Sequence, residues 1–338
     1  MQYTAGISGK SPVFPGAATG RIRTSRREAS DRGVEGMSER RWQRREFLLT
    51  IAAAAAMRSV AAERNIRWGL GAVTWTAKAA GPVRWSQICP DVAEGGFDGV
   101  EPFTTKNLPV NDENMNELAD LLPKYKLRVS SIYWGDNFHQ PSAEDRLLKD
   151  CHRYLGYLKR FGSDRLTLGP PPPNVEDERA AIAQTAKVMN AIGKIALEQY
   201  SIKTDIHPHV GSLIENPRQI DSLMRQTDPQ YFNLGPDTAQ LWMGGGEPIE
   251  MFEKYKNRLI YVHYKDIRAY NRGLKGYMDN VVELGRGVID FPALHRILKN
   301  VHYRGWITID LDNARISPLE SAKVQMEYIK KKLEPIYM

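Results

Sequence analysis

From residue 63 onward, short apolar runs alternate with amphipathic stretches eight times. β-Branched and aromatic residues dominate the runs, predicting strands at 66–75, 97–102, 127–134, 164–169, 201–207, 231–236, 258–264 and 305–311. Between them, apolar positions recur at helical spacing near 84–95, 112–123, 143–161, 176–199, 217–226, 247–256, 291–299 and 317–332. Asn216 followed by Pro217 marks one helix start, and Pro90 predicts a kink or restart in the first helix. Strands alternating with helices of this length imply βαβ units and a parallel sheet. Eight of each in about 276 residues predicts a single-domain α/β fold, a (β/α)8 barrel rather than an open sheet. Two longer irregular segments, GPPPPNVED after the fourth strand and 267–288 after the seventh, fall on the barrel face where such folds carry chemistry.

The pattern differs before residue 63. Residues 37–62 combine a basic segment, a short apolar core from Phe47 to Met57, and small residues at Ser59, Ala61 and Ala62. That is the layout of a cleavable export signal, with a core too short to span a bilayer permanently. Arg44-Arg45 ahead of Glu46-Phe47-Leu48-Leu49 resembles a twin-arginine signal, which implies the twin-arginine export machinery as a partner and a periplasmic or extracellular destination. Residues 1–36 read as a disordered lead or as sequence upstream of the true start. This division reassigns the charge. Residues 1–62 hold 11 basic and 5 acidic residues, and the remainder holds 36 and 35, so the net +7 gives no footprint for nucleic acid. The two cysteines, Cys89 and Cys151, read as unpaired core thiols. Assembly into a homo-oligomer is left open by the sequence.

Four strand candidates end on potential metal ligands: His207, Asp237, His263 and Asp310. Strand ends in such a barrel converge on one face, so one ligand per strand can meet at a single divalent cation. Each has a plainer reading, and for Asp237 helix capping alone explains the residue. Four at matching strand ends argue for a site. Two imidazoles and two carboxylates suit manganese, cobalt, iron or zinc, acting as a Lewis acid on a carbonyl. Asp205, on the face of His207 but deeper, is an alternative ligand or an orienting group. His209, Glu101 and Lys265 are candidates for moving a proton on the adjacent carbon or stabilising an oxyanion, although Lys265 can equally pair with Asp266. Trp75, Trp134 and Trp242 are candidate sugar-stacking rings.

At these residues the chain resembles the xylose isomerase-like TIM-barrel superfamily of sugar phosphate isomerases and epimerases, nearest to inosose dehydratase-like members. GFDGVEPF, HPHVGSLIENPRQID, NLGPDTAQ, RLIYVHYKD, ELGRGVIDFPAL and GWITIDLD carry the likeness. It implies a divalent metal held at the ends of the fifth to eighth strands. The fifth- and eighth-strand ligands it leads one to expect are glutamates, filled here by His207 and Asp310. Gln240 stands where a histidine is expected, and an amide cannot serve as an acid or base.

The resulting expectation is a metal-dependent isomerase or epimerase acting by enolisation of an unphosphorylated sugar, keto-sugar or cyclitol. A dehydratase or β-eliminating lyase using the same site is the alternative, and a carbohydrate-binding barrel without turnover is a further one. The DNA-repair branch of the superfamily needs many more strand-end histidines than the seven in this chain.

Overall fold

The computed structural model describes residues 64–268 and 276–338. The expected export signal, 37–62, and the stretch 1–36 before it lie outside the described residues. The strands are β1 (Ile66–Gly71), β2 (Gly99–Glu101), β3 (Arg128–Val129), β4 (Tyr133–Gly135), β5 (Arg165–Gly169), β6 (Lys203–Ile206), β7 (Phe232–Leu234), β8 (Val262–Tyr264), β9 (Asp266–Ile267), β10 (Val281–Val282) and β11 (Gly305–Ile309). Parallel pairing runs β3-β2-β1-β11-β8 and β4-β5-β6-β7. Parallel bridges Phe103–Tyr133, Leu234–Leu259 and Asp237–His263 join the two sheets at both seams. β3 and β4 are halves of one stave, so the expected eight-staved (β/α)8 barrel is closed.

Where the elements differ from expectation, the rim of the barrel is the reason. The first strand stops at Gly71, the last residue with a partner in β2, and the chain turns into a helical segment Val73–Thr76. The third stave is interrupted at 130–132, where Ser130 and Ser131 send their hydroxyls to Tyr261 and Thr167 inside the barrel. The helix Trp85–Glu94 runs through Pro90 as one element. Pro217–Gln226 begins as expected, with a reciprocal cap between Asn216 and Gln219. A short helix, Thr238–Met243, is absent from the expected helices but is the one that the capping reading of Asp237 requires.

Apolar side chains fill the space between barrel and helices. Trp68, Trp85 and Phe232 are fully buried, and so are both cysteines, which are free. Trp134 is not a sugar platform: it is 1% exposed and stacked on Tyr154, with ring centres 4.6 Å apart. Trp75 donates to Asp91, and Trp242 packs partly buried on the core. Among the described residues, no helix is long and apolar enough to cross a membrane.

Candidate metal centre

Strand alternation turns Glu101, His207, Asp237, His263 and Asp310 inward, and all are buried. His207, Asp237 and Asp310 each place one ligand atom so that all lie within 4.8 Å of one another. His263 stands beside this trio. Its Nδ1 is 3.0 Å from Nδ1 of His207, and its Nε2 donates to Glu101 at 2.6 Å. The two rings meet edge to face at 4.5 Å. Glu101 thus fixes the His263 ring from behind, as a carboxylate behind an imidazole does at metal sites.

Asp237 divides its two oxygens between structure and site. Oδ1 caps the helix Thr238–Met243 by accepting from the Gln240 N–H at 2.9 Å. Oδ2 faces His207 Nε2 at 4.0 Å and the Lys265 ammonium at 3.4 Å. The capping explanation of Asp237 is therefore correct, and it leaves one oxygen over.

Lys265 is 1% exposed and enclosed by acids. Nζ lies 3.0 Å from Asp310, 2.5 Å from Asp312, and 2.9 Å from the Tyr277 hydroxyl. It does not pair with Asp266. That neighbour points the other way along the strand and accepts backbone N–H groups of Ile267, Gly285, Gly287 and Ile289. Asp266 thereby pins the segment after β10, and a Cβ on Gly287 would sit 2.2 Å from its carboxylate. Tyr277 also donates to Asp312. Gln240 joins this group by donating to Tyr277 at 2.8 Å, while its carbonyl oxygen holds the Val210 N–H at 3.0 Å. The amide at this position ties the loop of His209 to the lysine cluster.

His209 lies just beyond β6, its ring 6.1 Å from that of His207. Nδ1–H donates to the Val210 carbonyl at 2.7 Å, which leaves Nε2 as the basic nitrogen. Asp205 is deeper and outside the trio. Neither of its oxygens has a partner, and a Cβ on Gly235 would fall 2.1 Å from one of them, so only glycine leaves room for this carboxyl.

Burial sets the protonation states. It drives His207 well below the ordinary histidine value, helped by the positive charge of His263, leaving a neutral imidazole. Burial and then Lys265 lower His209. For His263, burial pulls down, but the Glu101 charge and hydrogen bond outweigh it and raise the value to about 9. Burial raises Asp237 to about 6 against the pull of Lys265, and raises Asp205 to about 8. Lys265 is held charged by Asp237, Asp310 and Asp312, which overcome its desolvation.

These residues fit a divalent cation. Asp237 Oδ2, Asp310 Oδ1 and Glu101 Oε1 are buried oxygens without a hydrogen-bond partner, an expensive state for acids in a protein interior. Three aspartates against one ammonium leave two negative charges, the complement of one divalent ion. Nitrogen and oxygen donors of this kind suit zinc, manganese, cobalt or iron.

A family model described as xylose isomerase-like TIM barrel matches residues 89–332. The chain belongs to that family. An inosose dehydratase of Clostridium tetani is 36% identical over 302 residues, covering 79% of this chain and 97% of that protein. Another, from Salmonella typhimurium, is 31% identical over 295 residues, covering 79% and 96%. Among solved structures, the IOLI protein with a bound zinc atom superposes with a TM-score of 0.67 at 14% identity, covering 80% of this chain and 99% of that one. The last likeness is one of fold.

Asp312 and Tyr277 are the site residues that sequence reasoning missed. Asp312 had a signal: it follows Asp310 by two and shares its face in an extended chain. Tyr277 had only a coarse one, its place in the irregular segment 267–288 expected on the barrel's chemical face. Histidines outside the barrel mouth serve elsewhere: His152 meets Tyr200, and His295 bonds the Tyr337 carbonyl.

Proposed function

We propose that this chain is a metal-dependent lyase that enolises a neutral keto-sugar or keto-cyclitol and expels a group from the next carbon. One observation carries the reading: the buried trio His207, Asp237 and Asp310, with the basic nitrogen of His209 beside it. His207, Asp237 and Asp310 would hold the ion, with His263 against His207. A divalent ion there supplies a Lewis acid for a carbonyl and its neighbouring oxygen.

The chain's own residues supply the proton chemistry. His209 Nε2 takes the proton from the carbon next to the carbonyl, and the C–H electrons form a C=C bond. The β-carbon–oxygen bond breaks, and the departing oxygen takes the proton back from His209. Lys265 holds positive charge where the enolate oxygen develops. One base serves both steps. Epimerisation instead needs reprotonation from the opposite face, and Gln240, an amide where the resemblance leads one to expect a histidine, can neither give nor accept a catalytic proton. The two relatives named inosose dehydratase support elimination over epimerisation.

The test is solvent-deuterium exchange on keto-sugars and cyclitols with added manganese or cobalt, followed by enone absorbance. Exchange with enone formation supports elimination. Exchange without it supports the isomerase or epimerase alternative. No exchange, together with no stoichiometric metal after reconstitution, leaves only a binding barrel. We also propose export through Arg44-Arg45; Arg44→Lys with Arg45→Lys traps precursor inside the cell, and unchanged export refutes the proposal.

A further inference from the structure

Beside the metal centre, a cavity of about 500 Å³ opens in the barrel mouth. Its walls are Tyr133, Asp136, Asn137, the prolines 170–173 and His209, and none of the ligand trio lines it. His209 is therefore the partition between the reacting position and this second space. A hexose has twelve heavy atoms, each no larger than a water's share of about 30 Å³, so one ring fills less than about 360 Å³. The cavity holds a whole sugar ring in addition to whatever occupies the metal centre.

The walls are set in advance. The carbonyls of Pro171 and Pro173 accept from Leu213 and Val175 at 2.9 and 3.0 Å. Arg146 grips Asp136 through both guanidinium nitrogens at 2.7 and 3.0 Å. Tyr133 is stacked on Phe103 at 4.8 Å and meets His207 edge-on at 5.3 Å. Four successive prolines offer no N–H donors, only C–H faces and carbonyl oxygens. Together with Asn137 and Ser212, that makes a partly apolar lining with uncharged polar groups, which matches the hydroxyls and C–H faces of a neutral sugar. No lysine or arginine is among the described residues that line it, and the Arg146 guanidinium is engaged by Asp136, so the lining itself holds no cation for a phosphate dianion.

We propose that this cavity is a subsite for a second, neutral sugar ring, so that the substrate is a keto-glycoside rather than a free or phosphorylated monosaccharide. The proposal rests on the elimination reading above and adds the identity of the leaving group. With the carbonyl two carbons from the glycosidic carbon, loss of the intervening C–H proton to His209 forms the C=C bond. The glycosidic C–O bond breaks, and the outer sugar's oxygen leaves into the cavity with the proton from His209. No oxidant or reductant is consumed.

The experiment compares three probes on the manganese-loaded protein: a disaccharide oxidised at C3 of its non-reducing ring, the methyl glycoside of the same keto-sugar, and fructose 6-phosphate. The disaccharide is expected to show kcat/KM at least about tenfold above the methyl glycoside, as a filled subsite gives when its binding is expressed in the transition state. Asn137→Trp, which fills the cavity, collapses that ratio. Equal values for disaccharide and methyl glycoside, or preference for the phosphate, overturn the subsite. If no probe exchanges deuterium, the elimination reading fails by itself. The subsite is then decided by binding: a disaccharide must bind more tightly than its monosaccharide in wild type and lose that advantage in Asn137→Trp.

Discussion

Replacing Lys265 by methionine tests the charge arrangement most directly. The methionine keeps the length of the stem and removes the ammonium from Asp237, Asp310 and Asp312, at 3.4, 3.0 and 2.5 Å. Asp237 and Asp310 are 0% and 3% exposed, so water cannot take over. Removing one partner of a buried ion pair typically costs about 3–5 kcal/mol, because the remaining charge is left desolvated. In metal-free protein, the urea midpoint of Lys265→Met should therefore fall by about 1 M or more, given slopes near 3 kcal/mol/M. A divalent ion meets the same carboxylates. Manganese at a thousand times its dissociation constant contributes about 4 kcal/mol of stability, and it should stabilise the variant more than wild type. The assay is urea unfolding with EDTA and with manganese. A metal-free variant as stable as wild type, or one that gains no more from manganese, would refute the reasoning.

Asp237→Asn should preserve the helix cap and lose most metal affinity, whereas Asp237→Ala should lose both, with about 1 kcal/mol of additional destabilisation from the cap; metal titration and thermal unfolding separate the two. His209→Gln should lower kcat by about 10²–10⁴ while metal binding persists. Because burial lowers His209, kcat/KM should fall on acidification only below the ordinary histidine range, and a midpoint near or above 6.5 would contradict this. His263 has its value raised to about 9, so its pairing with Glu101 stabilises the fold fully below the unfolded histidine value. That contribution is lost as pH climbs from about 6.5 to about 9, and EDTA-treated protein should unfold at lower urea across this window. His263→Gln should flatten that dependence.

How much was legible beforehand depends on what each feature's physics leaves in the sequence. The barrel showed because each strand is a run of β-branched and aromatic residues buried on both faces, and each helix has one apolar stripe. The rim did not show. Strand ends are set by where a neighbouring strand stops offering partners, so β1 closes at Gly71 although its apolar run continues through Trp75. At the site, a strand-end position brought out Asp310, but Asp312, two residues on and on the same face, was not singled out, because only packing distinguishes a ligand from a lysine's counter-ion. Lys265 and Asp266 are adjacent in sequence and face opposite ways, which is why an apparent pair separates into a site cation and a loop anchor.

Those placements bear on why this site carries unusual ligands. The family resemblance leads one to expect glutamates where His207 and Asp310 stand. The first replacement removes a negative charge; the second shortens a carboxylate by one methylene. Asp312 and Lys265 then enter as a mutually neutral pair, so the net charge of the cluster stays at two negatives and a bound divalent ion brings it to zero. With one more carboxylate the loaded site would be anionic and would oppose an enolate. A neutral loaded site opposes it less, and under the proposed reaction Lys265 adds a positive charge for the oxygen that becomes negative. The substitution of His207 and the burial of Lys265 are thus two halves of one electrostatic arrangement. Restoring glutamate at His207 should tighten metal binding and slow enolisation in the same protein, measured by metal titration and deuterium exchange; a variant that gains in both would show that charge is not what the histidine adjusts.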